Sequence, residues 1–305
     1  MAEERADRQG ARIDDPELFL AMDDLELVAH GVVEGALHGM HRSPYIGFSV
    51  EFDAHREYQH GDDLRYVNWN LWARTDRLYI KQFKSDTDLN LYILLDTSRS
   101  MLCKHGAYPK WAYGARAAAA LAYLALHNRD AAGVFLLGER IRNHVPPRVR
   151  PDQFHEILAL LEDADVSGGT SLAHSLEETI HLCRRRGIVV LISDLFDEEE
   201  RVLRGLNDLR HYGHEVVVVN VLDAWEAELP PHGQYEFHDL ESGEVLQTNA
   251  AEVRRGATEA VKAWRNRLRQ RCVESGIDWL ECTTDTPLSQ FLVDYLLRRT
   301  EGEGI

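Results

Sequence analysis

Short apolar runs and amphipathic stretches alternate along most of the chain. Four runs of strand length, rich in Val, Ile and Leu, span residues 89–96, 132–137, 187–193 and 215–221, and stretches with helical spacing lie between and after them. Strands that form nearly continuous apolar runs are typical of a parallel sheet covered by helices on both faces. The pattern therefore predicts a doubly wound α/β domain over residues 88–300.

The N-terminal part of the chain follows a different pattern. Residues 15–40 carry apolar positions at spacings of three and four, which predicts an amphipathic helix with a proline in its first turn. Residues 44–84 mix aromatic, charged and turn-forming residues, and we interpret them as short strands and loops. We expect a disordered tail at residues 1–14, followed by a helix and a small strand and loop module over residues 15–87.

Charge and hydropathy exclude several classes of partner. The formal net charge of -17 makes a general affinity for nucleic acid or for anionic membranes unfavourable. The polar N-terminus lacks the apolar core of a signal peptide, and no apolar stretch approaches the roughly 20 residues of a transmembrane helix. The four scattered cysteines fit reduced thiols, with two disulfides as the alternative. We expect a soluble cytoplasmic protein without nucleic-acid binding or membrane insertion.

Candidate chemistry lies where the apolar strands end. Asp96 closes the first of these strands, and the sequence D-T-S-R-S places Ser98 and Ser100 at alternate positions after it. Asp194 directly follows the third strand, and Thr170 comes after a pair of glycines, just before a predicted helix. In an open α/β sheet, ligands bind beyond the carboxyl ends of the strands, so we expect these five side chains to surround one point.

The five side chains offer hard oxygen donors that include only two carboxylates. Such donors select Mg²⁺, Mn²⁺ or Ca²⁺ over thiophilic metals, and the low carboxylate count favours Mg²⁺ or Mn²⁺ over Ca²⁺. An open coordination position would let the carboxylate of a partner complete the metal site. The alternative is local backbone chemistry, because Ser and Asp are favoured in turns and at helix N-termini. That Thr170 and Asp194 are in phase with the strand–helix alternation favours the metal site.

These segments resemble a known family. DTSRS, the later GGT and the Asp194 that follows a strand resemble the metal-ion-dependent adhesion site of von Willebrand factor A domains. Residues 47–299 further resemble the bacterial family called domain of unknown function 58. The matching segments are GFSVEFDAHREYQHGDDLRYVNWNLWARTDRLYIKQF, LLDTSRSM, the downstream Lys110 and PLSQFLVDYLLRR. One departure is Asn68, which stands where the family usually has an Asp.

The resemblance implies both a fold and a partner. The implied fold is a Rossmann-like von Willebrand factor A domain, with a six-stranded, mostly parallel sheet flanked by helices and one short antiparallel edge strand. Members are typically encoded beside MoxR-type AAA+ ATPases and are thought to act as their adaptors. We therefore predict a non-catalytic, metal-dependent protein–protein interaction module that assists such an ATPase in complex assembly, remodelling or stress response. An acidic side chain of the ATPase or of its client would bind the Mg²⁺.

Two other functions remain open. A metal-dependent hydrolase could use Asp96 and Asp194 together with the Asp62–Asp63 pair, and a purely structural A domain would leave the metal site empty. A dehalogenase-like phosphatase needs a second Asp two residues after the first, and this position is Ser98. The sequence also lacks the phosphate-binding glycine motifs and the nucleophile elbow G-x-S-x-G. A non-catalytic role is therefore the prediction.

The helix that follows Thr170 carries a further group of possible metal ligands. His174 and His181 are seven residues apart and share one face with Glu178. A transition-metal site is conceivable there, but we interpret these residues as a solvated polar face opposite the apolar one.

Overall fold

The computed structural model describes residues 25–41, 52–57, 79–83, 89–106, 108–169, 171–228, 234–238 and 245–302. The chain divides into two units, one formed by residues 1–36 with 89–305 and the other by residues 37–88. The predicted tail, Asn68 and the Asp62–Asp63 pair lie outside the described residues. The predicted domain boundaries remain predictions.

The helices and strands have the following bounds in chain order: α1 (Leu25–His41), β1 (Phe52–Glu57), β2 (Tyr79–Phe83), β3 (Asn90–Asp96), the 3-10 helix η1 (Arg99–Leu102), α2 (Lys110–His127), β4 (Ala131–Leu137), β5 (Ile141–Arg148), α3 (Gln153–Glu162), α4 (Leu172–Leu182), β6 (Gly187–Ser193), α5 (Glu199–His211), β7 (Glu215–Leu222), α6 (Ala224–Ala227), β8 (Gln234–His238), β9 (Val245–Asn249), α7 (Ala250–Glu274), β10 (Asp278–Thr283) and α8 (Leu288–Gly302). In the smaller unit, β1 and β2 pair in antiparallel fashion. None of the described helices is long and apolar enough to cross a membrane, and the cytoplasmic location stays a prediction.

The main sheet of the larger unit has six strands in the order β10-β7-β6-β3-β4-β5. All neighbouring strands run parallel except β4 and β5, which are antiparallel. The chain moves outward from β3 to β5 and then returns to the other side of β3 to form β6. The carboxyl ends of β3 and β6 therefore flank the point where the strand order reverses, which is where open sheets bind ligands. The predicted doubly wound α/β fold is confirmed.

The central strands are buried because helices cover both faces of the sheet. Alternate residues of β3, such as Tyr92 and Leu94, pack into one apolar cluster with side chains from α4, α5 and α7. On the opposite face α2 lies so close that a Cβ atom on Gly114 would be only 2.9 Å from Leu95 Cδ1. All four cysteines are free thiols. Burial of their apolar side chains thus holds β3 and β6 on either side of the point where the strand order reverses.

The edge strand β5 differs from what the pattern predicted. None of the four apolar runs covers residues 141–148, whereas the eight residues of β5, IRNHVPPR, pair along β4 with irregular register at two places. The resemblance implied a short edge strand, but β5 is as long as β7. Its mostly exposed, polar sequence contains two prolines, which are tolerated because an edge strand has one side without a neighbour.

Candidate metal centre

Asp96, at the carboxyl end of β3, is the first of the predicted metal ligands, and it is fully buried. The backbone N–H of Ser98 donates to its Oδ1 atom over 2.9 Å, and the hydroxyl of Ser193 donates to its Oδ2 atom over 2.7 Å. Ser193 is the last residue of β6. Two neighbouring strands therefore hold this carboxylate at the reversal point of the sheet.

Ser98 and Ser100 lie beside this carboxylate, in the turn that starts η1. Their hydroxyl oxygens are 2.9 Å apart, and Ser98 is fully buried. The backbone N–H and the hydroxyl of Thr97 both donate to the carbonyl of Leu137 at the end of β4, which fixes the start of the turn. The structure thus brings together three of the five predicted oxygen donors, those of Asp96, Ser98 and Ser100.

The predicted donor Thr170 lies outside the described residues. Gly168 is described, and its carbonyl accepts a hydrogen bond from the backbone N–H of Arg99 over 3.2 Å. At the start of α4, the backbone N–H of Leu172 donates to Asp197 Oδ2 over 2.7 Å. Residues on both sides of Thr170 therefore contact the loops after β3 and β6, and its role as a ligand stays a prediction.

Asp194, directly after β6, is buried like Asp96 but has a cationic neighbour. The ammonium of Lys110 donates to its Oδ2 atom over 2.7 Å, and the backbone N–H of Phe196 donates to its Oδ1 atom over 3.2 Å. The next residue, Leu195, has a φ of 62°, in the left-handed region that residues with a branched side chain rarely adopt. This strained turn keeps Asp194 at the sheet edge, where its charge acts on Asp96.

The electrostatic environment of Asp96 opposes its ionisation. Burial, followed by the negative charge of Asp194, raises the pKa of Asp96 to about 6, although hydrogen bonds from Ser193 and Ser98 act in the opposite direction. A divalent cation would offset this effect. The donors beside Asp96 are the hard oxygens that Mg²⁺ and Mn²⁺ prefer, so the residues present fit the predicted metal.

Lys110, at the start of α2, is a site residue to which the sequence pattern assigned no role. Its fully buried ammonium lies 2.7 Å from Asp194 Oδ2 and 2.7 Å from each carboxylate oxygen of Glu226. Burial lowers the pKa of Lys110, but the charges of Asp194 and Glu226 outweigh that effect and raise the pKa above its usual value. Lys110 thus balances Asp194 and links the loop after β6 to α6.

The histidines of α4 form no cluster of metal ligands within the described part of the chain. His174 lies 3.5 Å from Glu178 and 3.7 Å from Glu177, while Glu178 also accepts a hydrogen bond from the backbone N–H of Ile141. His181 is exposed. This arrangement agrees with the solvated polar face that the sequence predicted.

A doubly wound sheet with a D-x-S-x-S turn at its reversal point is characteristic of von Willebrand factor A domains. The chain belongs to the family described as "Protein of unknown function DUF58", whose model matches residues 54–267. The family predicted from the sequence is therefore confirmed.

Similarity to other proteins extends over most of the chain. The chain is 29% identical over 296 residues to the uncharacterized protein Rv1480 of Mycobacterium tuberculosis (strain ATCC 25618 / H37Rv), covering 95% of this chain and 92% of that protein. The conserved hypothetical protein BatB from Bacteroides thetaiotaomicron matches 70% of this chain and 99% of its own, with 16% identity and a TM-score of 0.48. The VWA domain of SpRpn10 matches 67% and 93%, with 11% identity and a TM-score of 0.39.

Proposed function

We propose that this chain is a non-catalytic protein-interaction module whose binding to a partner depends on Mg²⁺ or Mn²⁺. The observation that supports this most is the meeting of a buried carboxylate, Asp96, with the hydroxyls of Ser98 and Ser100 at the reversal point of the sheet. These three residues would hold the metal, with Thr170 and Asp194 completing the set. The metal would supply a Lewis-acidic position to which a carboxylate of the partner binds.

The hydrogen bonds at the site hold both carboxylates as metal ligands are usually held. Each oxygen of Asp96 accepts a hydrogen bond, and each oxygen of Asp194 does so as well, one of them from the ammonium of Lys110. Both carboxylates are held in fixed orientations by donors of the chain itself, and a carboxylate oxygen that accepts one hydrogen bond keeps a further lone pair with which to bind a metal. The hydrolase remains the second candidate, in which the metal would activate water.

Two exposed apolar side chains flank the loops that carry the site. Leu102, at the end of η1, is 45% exposed, and Phe196, two residues after Asp194, is 42% exposed. Apolar and aromatic side chains around a polar centre are typical of protein interfaces. They support a protein partner over a small molecule. By its family, the partner we propose is a MoxR-type AAA+ ATPase or a client that it remodels.

A pull-down with purified components tests the proposal. The wild-type chain and the Asp96→Ala variant are immobilised and offered a MoxR-type ATPase from the same genome, and separately a lysate, in Mg²⁺ or in EDTA. We expect a partner that is retained by the wild type in Mg²⁺ and lost both in EDTA and with the variant. Asp163→Ala, an exposed aspartate on another loop, is the matched control and should retain the partner. Retention of the partner that is unchanged by EDTA and by the Asp96 substitution would contradict the proposal.

Two assays separate the alternatives. Phosphatase or esterase turnover with Mn²⁺ that disappears in Asp96→Ala would favour the hydrolase. A melting temperature that is the same in Mg²⁺, Mn²⁺ and EDTA would favour a structural domain with an empty metal site, because a ligand that binds the folded state must stabilise it.

A further inference from the structure

A second group of possible metal ligands lies at the same edge of the sheet, apart from the hard-oxygen donors. Within the described residues, one group of three possible metal ligands lies close together: Cys103, His105 and Asp223. Their ligand atoms all lie within 4.8 Å of one another. Cys103 and His105 follow η1, whereas Asp223 directly follows β7. The fold therefore brings a thiol, an imidazole and a carboxylate together from segments that are 118 residues apart.

Two of the three distances within this group are close to those of a tetrahedral metal site, and the third, between Cys103 Sγ and an Asp223 carboxylate oxygen, is at most 4.8 Å. Cys103 Sγ lies 3.6 Å from His105 Nδ1, which lies 3.0 Å from Asp223 Oδ1. Zinc bonds of about 2.3 Å to sulfur and about 2.0 Å to nitrogen or oxygen, at tetrahedral angles, separate sulfur from nitrogen by roughly 3.6 Å and nitrogen from oxygen by roughly 3.3 Å. A metal could therefore enter with only small side-chain movements.

The surrounding contacts hold two of the ligands in place. Asp223 is fully buried, and its Oδ1 and Oδ2 atoms accept hydrogen bonds from the backbone N–H groups of Trp225 and His105, respectively. The ring of His105 stacks on that of Trp225, with 4.5 Å between the centroids and 12° between the planes. Supporting contacts of this kind are what orient the ligands of metal sites.

The charges near the group favour a cation. The acidic side chains of Asp223 and Glu226 both act on the Cys103 thiol. Lys110 opposes them, but its ammonium also contacts Asp194. Binding of Zn²⁺ would form the Zn–S bond and release the thiol proton to solvent.

We propose that Cys103, His105 and Asp223 form a second metal site, which takes Zn²⁺ and is distinct from the Mg²⁺ site at Asp96. Three protein ligands leave the fourth position of a tetrahedral ion open to water or to an incoming group. The site would clamp the loop that leads into α2 onto the start of α6. Because Lys110 follows this loop and its N–H donates to the carbonyl of Cys103, the clamp also steadies the residue that balances Asp194.

The competing explanation is a simple hydrogen bond from His105 Nδ1 to Asp223, with the thiol as a bystander. His105→Asn separates the two, because an amide N–H can still donate to Asp223 but does not bind zinc. Cys103→Ser removes the thiolate and leaves the hydrogen bond intact. Under the bystander explanation neither substitution changes metal binding.

The experiment titrates the full-length, metal-free chain with Co²⁺ and then Zn²⁺, in excess Mg²⁺ and a phosphine reductant. We expect a thiolate-to-Co²⁺ charge-transfer absorption that Zn²⁺ abolishes. Both variants should lose the absorption and bind Zn²⁺ at least about 100-fold more weakly, since even supporting residues are worth roughly 10- to 100-fold. Asp96→Ala and His174→Asn, an exposed histidine on α4, should keep the absorption.

Melting curves in EDTA show whether the variants are folded, and each should melt close to the wild type. The proposal is overturned if the wild-type chain gives no thiolate absorption with Co²⁺. It is also overturned if Cys103→Ser or His105→Asn binds Zn²⁺ as tightly as the wild type.

Discussion

The loops that follow β3 and β6 each begin with a buried aspartate, but the two carboxylates have different surroundings. The carboxylate of Asp194 lies 2.7 Å from the ammonium of Lys110. Asp96 accepts hydrogen bonds from the neutral donors Ser98 and Ser193, and burial together with Asp194 raises its pKa to about 6. The carboxylate of Asp194 is therefore balanced within the chain, while that of Asp96 gains most from an added cation.

The largest effect that we expect comes from removing the internal cation. Lys110→Met leaves Asp194 and Glu226 as two buried or half-buried carboxylates without their ammonium partner. Breaking a buried ion pair from one side lowers the free energy of unfolding by about 3–5 kcal/mol. Denaturant unfolding at neutral pH measures this loss.

Lys262→Met is the matched control, because Lys262 is exposed on α7. Exposed charges contribute at most about 1 kcal/mol. A Lys110 variant that loses no more stability than this control would show that Asp194 is not balanced by Lys110.

Substitution of each aspartate by asparagine should have different effects on the free energy of unfolding, measured in EDTA at neutral pH. Asp194→Asn removes one of the two charged acceptors of Lys110 and leaves Glu226, so the free energy of unfolding should fall by about 2 kcal/mol. Asp96→Asn removes a charge that burial opposes, and its amide can still bond to Ser98 and Ser193, so stability should be unchanged or higher. Chemical denaturation of both variants tests the contrast, and equal losses would refute it.

The pH dependence of stability should identify Asp96 as the carboxylate whose ionisation the fold opposes. The folded pKa is raised from 3.8 to about 6, so between these values the folded chain keeps a proton that the unfolded chain has released. The stabilisation is present at low pH and is lost as the pH rises through the folded pKa. In EDTA, the stability of Asp96→Asn relative to the wild type should therefore be larger at about pH 7.5 than at about pH 4.5. A difference that is constant across this range would contradict the assignment.

A smaller effect is expected from the hydroxyl that supports Asp96. Ser193→Ala removes the donor to Asp96 Oδ2 and should weaken Mn²⁺ binding by about 10-fold, as is usual for residues that orient a ligand. Ser175→Ala is the control, since this buried serine donates to the carbonyl of Gly138. The Mn²⁺ affinities of the two variants test this prediction, and equal affinities would show that Ser193 does not orient Asp96 for metal binding.

The sequence was a good guide to the central strands and to the residues at their carboxyl ends. Long apolar runs occur only where both faces of a strand are buried, so β3, β6 and β7 could be predicted, and with them the positions of Asp96 and Asp194. The edge strand β5 could not be predicted in this way, because it is exposed and polar and therefore carries no apolar run.

The contacts between side chains were beyond the sequence pattern. Ser193 ends a predicted strand, but its bond to Asp96 depends on the pairing of β3 with β6. The bonds of Lys110 to Glu226 depend on β7 lying next to β6, which brings α6 to the site. Cys103 and His105 are close in the sequence, but no feature of the surrounding sequence indicates that Asp223, which follows a different strand, lies beside them.

The metal site at Asp96 can be tested by titrating the purified chain with Mn²⁺ and measuring the magnetic resonance signal of the free ion. We expect a Mn²⁺ site for which Mg²⁺ competes, which is lost in Asp96→Ala and retained in Asp163→Ala. If the wild-type chain binds no Mn²⁺, or if Asp96→Ala binds it as tightly as the wild type, the metal-dependent interaction site proposed at Asp96 does not exist.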